Sequence, residues 1–195
     1  MSETWRLFIA IELPEAILAQ LTTVQERLKR QVPRGTVRWV RVAGIHLTLK
    51  FLGDVPLSQR DDIEHELAQA ATGHTPFTLA ARHLGCFPNP KRPRVVWVGV
   101  QGAVPALANL RDAVEEHIAP LGYPTEDRPF KPHLTLGRVQ RDARRDEVAR
   151  LGELIADTKL GELGRWDVSS VSLMRSELKP DGAVYSRLFS APLDQ

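Results

Sequence analysis

The tetrapeptide His-Leu-Thr-Leu occurs twice in the chain, at His46 to Leu49 and again at His133 to Leu136. On a β-strand, residues two apart share a face, so His46 and Thr48 point one way while Leu47 and Leu49 anchor the strand to a core, and the second copy repeats the pattern. Each strand would hold an imidazole and a hydroxyl roughly 7 Å apart. Two such strands facing one another would put two imidazoles and two hydroxyls around one small anion. The chemistry that suits this set is in-line displacement at a phosphodiester, with a neutral imidazole taking a proton from water and an imidazolium giving one to the departing oxygen. Histidine suits both tasks because its reference pKa of about 6.5 allows either state near neutrality. Hydroxyls of Thr48 and Thr135 can donate to the non-bridging oxygens. Residue type and spacing do not say which histidine is acid and which is base.

Around the motifs stand further candidates. Arg138, five residues after His133, falls on the opposite nominal strand face unless the strand bulges near Gly137. Lys50 and Lys131 are nearby cations, and Phe8, Trp39, Phe51 and Phe130 are aromatics able to stack on a base. Phe51 is out of phase with His46 and Thr48 and is expected to pack inward. Two histidines without a third ligand nearby do not make a usual zinc site. His65, His74, His83 and His117 lack a motif and read as surface or packing residues, Trp5, Trp97 and Trp166 as core, and Cys86 as a packed thiol.

The elements that must position these groups follow from periodicity. Strands are expected at Arg6 to Glu12, Val37 to Val40, Ile45 to Leu52 and Phe77 to Leu84, with a helix opened by Pro14 and another capped by Ser58 and running to Thr72. The order then repeats: strand Arg94 to Val100, helix Val104 to Ile118, strand His133 to Val139, a helix from Asp142 or Arg144 through Ile155, and strand Trp166 to Met174. A turn at Pro180-Asp181-Gly182 leads to a last strand, Ala183 to Phe189, expected to complete the second lobe. Offsets of 89 between Phe8 and Trp97, 87 between the histidines and 89 between Phe77 and Trp166 point to an internal duplication. The stretch FPNPKRP, Phe87 to Pro93, reads as an exposed loop.

With 195 residues, 43% of them hydrophobic, the chain can bury a real core. A formal charge of +2 excludes a protein that coats DNA by bulk electrostatics. A single cysteine excludes an internal disulfide and fits a reducing compartment. No secretory leader and no membrane-length apolar run are visible, so a soluble, cytoplasmic protein with no membrane partner is expected.

The chain resembles the two-histidine phosphoesterase superfamily, and within it the RNA 2′,3′-cyclic phosphodiesterases also known as 2′-5′ RNA ligases. The resemblance rests on RLFIAIELP (Arg6 to Pro14), HLTLKFLGDV (His46 to Val55), GCFP (Gly85 to Pro88), RVVWVGV (Arg94 to Val100), FKPHLTLGR (Phe130 to Arg138) and the stretch from Ser176 to Leu188. It implies a bilobal α+β fold over residues 1–195, each lobe an antiparallel-rich sheet with helices, with the cleft between them. It also implies His46 as proton donor, His133 as proton acceptor, and Thr48, Thr135 and Arg138 as phosphate-binding residues. The implied reaction is hydrolysis of an RNA-terminal 2′,3′-cyclic phosphate to a 2′-phosphomonoester by a monomer, with no metal or other cofactor. RNA 3′ ends and cyclic nucleotides are the implied substrates. Reversible 2′-5′ RNA joining, and a silent nucleotide-binding module, are the alternatives; Phe8, Lys50, Phe130 and Lys131 are further candidate contacts.

Overall fold

A computed structural model describes residues 3–180 and 182–194. Among the described residues, nine strands form two antiparallel sheets and four helices cover their outer faces. In chain order the elements are β1 (Thr4–Glu12), α1 (Glu15–Gln31), β2 (Val37–Trp39), β3 (His46–Pro56), α2 (Arg60–Ala71), β4 (Phe77–Phe87), β5 (Val95–Gly102), α3 (Val104–Ile118), β6 (His133–Val139), α4 (Arg145–Asp157), β7 (Glu162–Val168), β8 (Ser170–Lys179) and β9 (Gly182–Pro192). The first sheet has the order β3-β1-β8-β9 and the second β2-β6-β5-β4-β7.

Alternation along β1 explains how one strand serves two environments. Leu7, Ile9 and Ile11 enter the main core, while Phe8 and Ala10 face the other way and join Met174 and Tyr185 in a small second cluster. Across the core, α1 presents Ile17, Leu21, Val24 and Leu28, and α3 presents Leu107, Leu110, Val114 and Ile118. Helices α2 and α3 pack on the first sheet and α1 and α4 on the second.

The duplication is real, with a corrected register. Glu12 lies opposite His46 and Gly99 opposite His133; Ala10 lies opposite Thr48 and Trp97 opposite Thr135; Phe8 lies opposite Phe51 and Val95 opposite Arg138. Each correspondence has the 87-residue offset of the histidines, since 99 − 12, 97 − 10 and 95 − 8 all equal 133 − 46. Trp97 therefore corresponds to Ala10, and not to Phe8 as the aromatic spacing suggested. Phe77 and Trp166 lie on β4 and β7, which pair directly, so they mark the joint between the halves.

Two further expectations change. The strand expected from Trp166 to Met174 breaks at Ser169, and its parts lie in different sheets. The last strand, β9, pairs with β8 in the sheet of β1 and β3, so it completes the first lobe's sheet and not the second's. Each sheet thus holds strands from both halves of the chain. Ser58 lies in a short 3-10 turn and makes no capping bond to α2. In the expected turn before β9, Asp181 is outside the described residues. The 88–94 loop after β4 is mostly exposed, as expected.

Candidate active site

Both motif strands carry the same irregularity. In β3 the register against β1 slips between Thr48 and Lys50, and in β6 the register against β5 slips between Thr135 and Gly137. The extra residues, Leu49 and Leu136, are β-bulges that reverse the strand's phase. The bulge in β6 brings Arg138 to the face of His133 and Thr135. The bulge in β3 does the same for Phe51, which is 69% exposed, and turns Lys50 inward. Two expectations are thereby corrected: Phe51 does not pack inward, and Lys50 is no phosphate contact.

Each bulge is braced by a buried polar group from a helix of the other half of the chain. Gln25 of α1 donates from Nε2 to the carbonyl of Leu136 at 3.0 Å and to that of Val40 at 2.8 Å. Lys50 Nζ forms a buried ion pair with Glu115 of α3 and donates to the Pro124 carbonyl at 2.8 Å. Glu115 also binds Arg111 at 3.2 Å. Gln25 and Glu115 stand 90 residues apart, as do Ile17 and Leu107, Val24 and Val114, and Leu28 and Ile118, so the two braces occupy corresponding helix positions.

The two imidazoles are mounted alike. Nδ1 of His46 donates to the Gly44 carbonyl at 2.8 Å and Nδ1 of His133 to the Lys131 carbonyl at 2.7 Å, because a carbonyl can only accept. Nε2 is therefore the working atom of both rings. Phe8, 2% exposed, stacks on His46 with centroids 4.5 Å apart, and the Tyr185 ring meets His46 edge-on at 5.0 Å. Phe87 meets His133 edge-on at 4.9 Å. Phe8 is accordingly a floor beneath His46 and not a platform for a base.

Their electrostatic surroundings differ. Burial pushes both histidines below the ordinary imidazole value, and the carbonyl bonds at Nδ1 oppose that. At His46 the Glu12 carboxylate also favours the charged ring, whereas at His133 the Arg138 guanidinium disfavours it. Glu12 is held in place by the Ser172 hydroxyl at 2.9 Å and by Arg187 at 3.1 Å.

A cleft of about 640 Å³ between the sheets is lined by His46, Thr48 and Phe51 from one side and His133, Thr135 and Arg138 from the other, with Arg6 and Arg38 also at its wall. The structure thus brings five expected residues together around one space. Phe130 and Lys131 instead line a neighbouring cavity of about 410 Å³ that shares His133, and Phe130 packs beneath the Arg111 guanidinium at 5.6 Å. Trp39 packs against the core. His117 bonds Glu66 at 2.9 Å, and Cys86 is buried with its thiol pushed upward by burial. Among the described residues, no three His, Cys, Asp or Glu side chains are grouped to hold a metal ion, and no helix is long and apolar enough to cross a membrane.

Sequence reading missed Glu12 and Tyr185, and it turned Phe51 to the wrong face. Glu12 shares a face with Phe8 and Ala10, so a β1–β3 pairing would have exposed it as a neighbour of His46. Phe51 and Leu178, the exposed large hydrophobic side chains among the described residues, both line the main cleft. Leaving such a side chain in water forgoes about 1.5–3 kcal/mol of burial, which a ligand can recover.

Two lobes built from one repeat, each offering an imidazole from an HxT strand to a shared cleft, define a two-histidine phosphoesterase. The chain belongs to the LigT like phosphoesterase family, whose model matches twice, at residues 11–97 and 98–185. It is 36% identical over 181 residues to the RNA 2′,3′-cyclic phosphodiesterase of Methanothermobacter thermautotrophicus, covering 93% of this chain and 95% of that one. It is 35% identical to the RNA 2′,3′-cyclic phosphodiesterase of Thermus thermophilus over 94% of this chain and 87% of the relative. Among solved structures, Escherichia coli LigT complexed with 3′-AMP superposes with a TM-score of 0.77 at 26% identity, covering 99% of this chain and 100% of that one.

Proposed function

We propose that this protein hydrolyses the 2′,3′-cyclic phosphate at RNA 3′ ends to a 2′-phosphomonoester, with the whole bilobal chain as the working unit. The observation that carries this reading is a pair of Nε2-presenting imidazoles in one cleft with opposite charges beside them. Names of the relatives support the substrate class, and the 3′-AMP complex of Escherichia coli LigT supports a nucleotide ligand.

His133, kept neutral beside Arg138, takes a proton from water at Nε2 as the water oxygen bonds to phosphorus. His46, favoured as imidazolium by Glu12, gives its Nε2 proton to the ribose 3′ oxygen as the P–O3′ bond breaks. Thr48, Thr135 and Arg138 hold the non-bridging oxygens, whose charge persists throughout. The two rings exchange protons with solvent before the next turnover. None of these steps draws on a metal.

The test is product analysis on an oligonucleotide ending in a 2′,3′-cyclic phosphate. A 2′-monoester should accumulate, EDTA should leave the rate unchanged, and His46→Ala and His133→Ala should each lower kcat about 10²–10⁴-fold while remaining folded. Full activity in either folded variant would overturn the proposal.

A further inference from the structure

Among the described residues, the wall of the main cleft carries three arginines, Arg6, Arg38 and Arg138, and no aspartate or glutamate. Glu12 offsets the imidazolium of His46, so these three guanidiniums face a single negative charge when only a cyclic phosphate is bound. The whole chain has a formal charge of only +2, so the excess belongs to the cleft and not to the surface at large.

Two of the arginines are set against each other. Arg38 of β2 lies directly opposite Arg138 of β6 in the antiparallel register, and both are exposed. Opposed side chains in such a pair start about 4.5–5.5 Å apart at Cβ, and like charges there destabilise the sheet. Neither guanidinium has a carboxylate partner among the described residues. Arg6 stands differently, because on β1 it faces Asp54 of β3 across the register. The uncompensated charge is therefore concentrated at the outer edge of the second sheet, where β2 is the last strand, on the side of β6 away from the cavity beside His133.

In the proposed reaction Arg138, Thr48 and Thr135 already supply donors to the non-bridging oxygens of the scissile phosphate. The anion for Arg38 is then a second one, held near the first by the substrate itself, and in RNA that group is the phosphodiester joining the terminal nucleoside to its 5′ neighbour. We infer that Arg38 binds this phosphodiester, forming a second phosphate site that selects RNA ends of two or more nucleotides over mononucleotide cyclic phosphates. The identity of the strand rests on the reaction proposed above. The contact reads charge and carries no base preference. A phosphate on Arg38 also relieves its repulsion with Arg138, which gives a physical reason for setting two like charges opposite each other.

Calorimetric titration of wild type, Arg38→Gln and Arg6→Gln with three ligands tests the second site. The ligands are adenosine 2′-monophosphate, the adenosine dinucleotide ending in a 2′-monophosphate, and the same dinucleotide with its internucleotide phosphate replaced by an uncharged methylphosphonate. Wild type should bind the charged dinucleotide about tenfold more tightly than the methylphosphonate, the size of one charge-assisted contact. Arg38→Gln should abolish that difference by raising the Kd of the charged dinucleotide about tenfold, with the other two ligands at their wild-type values. The variant should keep the wild-type thermal midpoint or exceed it, because Arg38 is exposed and opposed by a like charge. An equal rise in Kd for all three ligands would put Arg38 on the scissile phosphate and overturn the proposal. A loss confined to Arg6→Gln, or a wild type that does not distinguish the two dinucleotides, overturns it as well. Binding is read without turnover, so a protein that shows the expected Arg38 dependence yet hydrolyses no cyclic phosphate would overturn the proposed reaction and leave the second phosphate site standing.

Discussion

HLTLKF in β3 and HLTLGR in β6 begin as copies and end as different tools. Both bulge at the second leucine and both turn their sixth residue into the cleft, where one half offers the Phe51 ring and the other the Arg138 guanidinium. The fifth residue differs because the strands have different neighbours. β6 lies inside its sheet beside β2, and a Cβ at Gly137 would come within 2.6 Å of the Val37 side chain. β3 is an edge strand, so the same position can carry Lys50 and send it to Glu115. One duplicated strand thus supplies apolar contact on one side of the cleft and charge on the other.

The largest effect should come from breaking the brace on the first strand. Lys50→Met leaves Glu115 buried without its nearest cation and should cost about 3–5 kcal/mol, measured by denaturant unfolding. Loss of under about 1 kcal/mol would mean that the pair is not what holds the β3 bulge. Next, Arg138→Ala should lower kcat/KM about a hundredfold, and, by removing a cation that disfavours charged His133, it should move the acid limb of the pH–rate profile to higher pH. An unmoved acid limb would detach Arg138 from the base.

Gln25→Leu should then cost about 1–3 kcal/mol by stripping a donor from the buried Leu136 carbonyl and the half-buried Val40 carbonyl. Because the β6 bulge aims Arg138, kcat/KM should fall while the Phe51 side stays intact; unchanged kinetics in the destabilised variant would separate the brace from the site. The smallest effect is expected of Glu12→Gln. Removing the carboxylate takes away an influence that raises the His46 pKa, so the alkaline limb should move to lower pH. A shift of the acid limb instead would reverse the roles of the histidines.

The helices, most of the strands along the chain and the two HxT pairs were legible in the sequence because they depend on local periodicity. Arg138 was legible conditionally, since the need for a bulge near Gly137 could be stated but not its presence. Phe51 and Lys50 were misplaced for that reason: alternation assumes a continuous ladder, and one extra residue exchanges the faces of everything beyond it. Glu12 was missed because it meets His46 across a strand pairing. The break at Ser169 and the placement of β9 were invisible for a similar reason, as sheet membership depends on contacts between distant segments. The residues alone left acid and base interchangeable, and the opposite charges of Glu12 and Arg138 that support the proposed assignment become visible only once both side chains have been placed.

That His46 donates to the leaving oxygen while His133 accepts from water can be tested directly by replacing the bridging 3′ oxygen of the cyclic phosphate with sulfur. A thiolate, with a thiol pKa of about 8.5, departs without prior protonation. His46→Ala should recover most of its lost rate on the sulfur substrate while His133→Ala stays slow. Recovery in His133→Ala with none in His46→Ala would contradict the assignment.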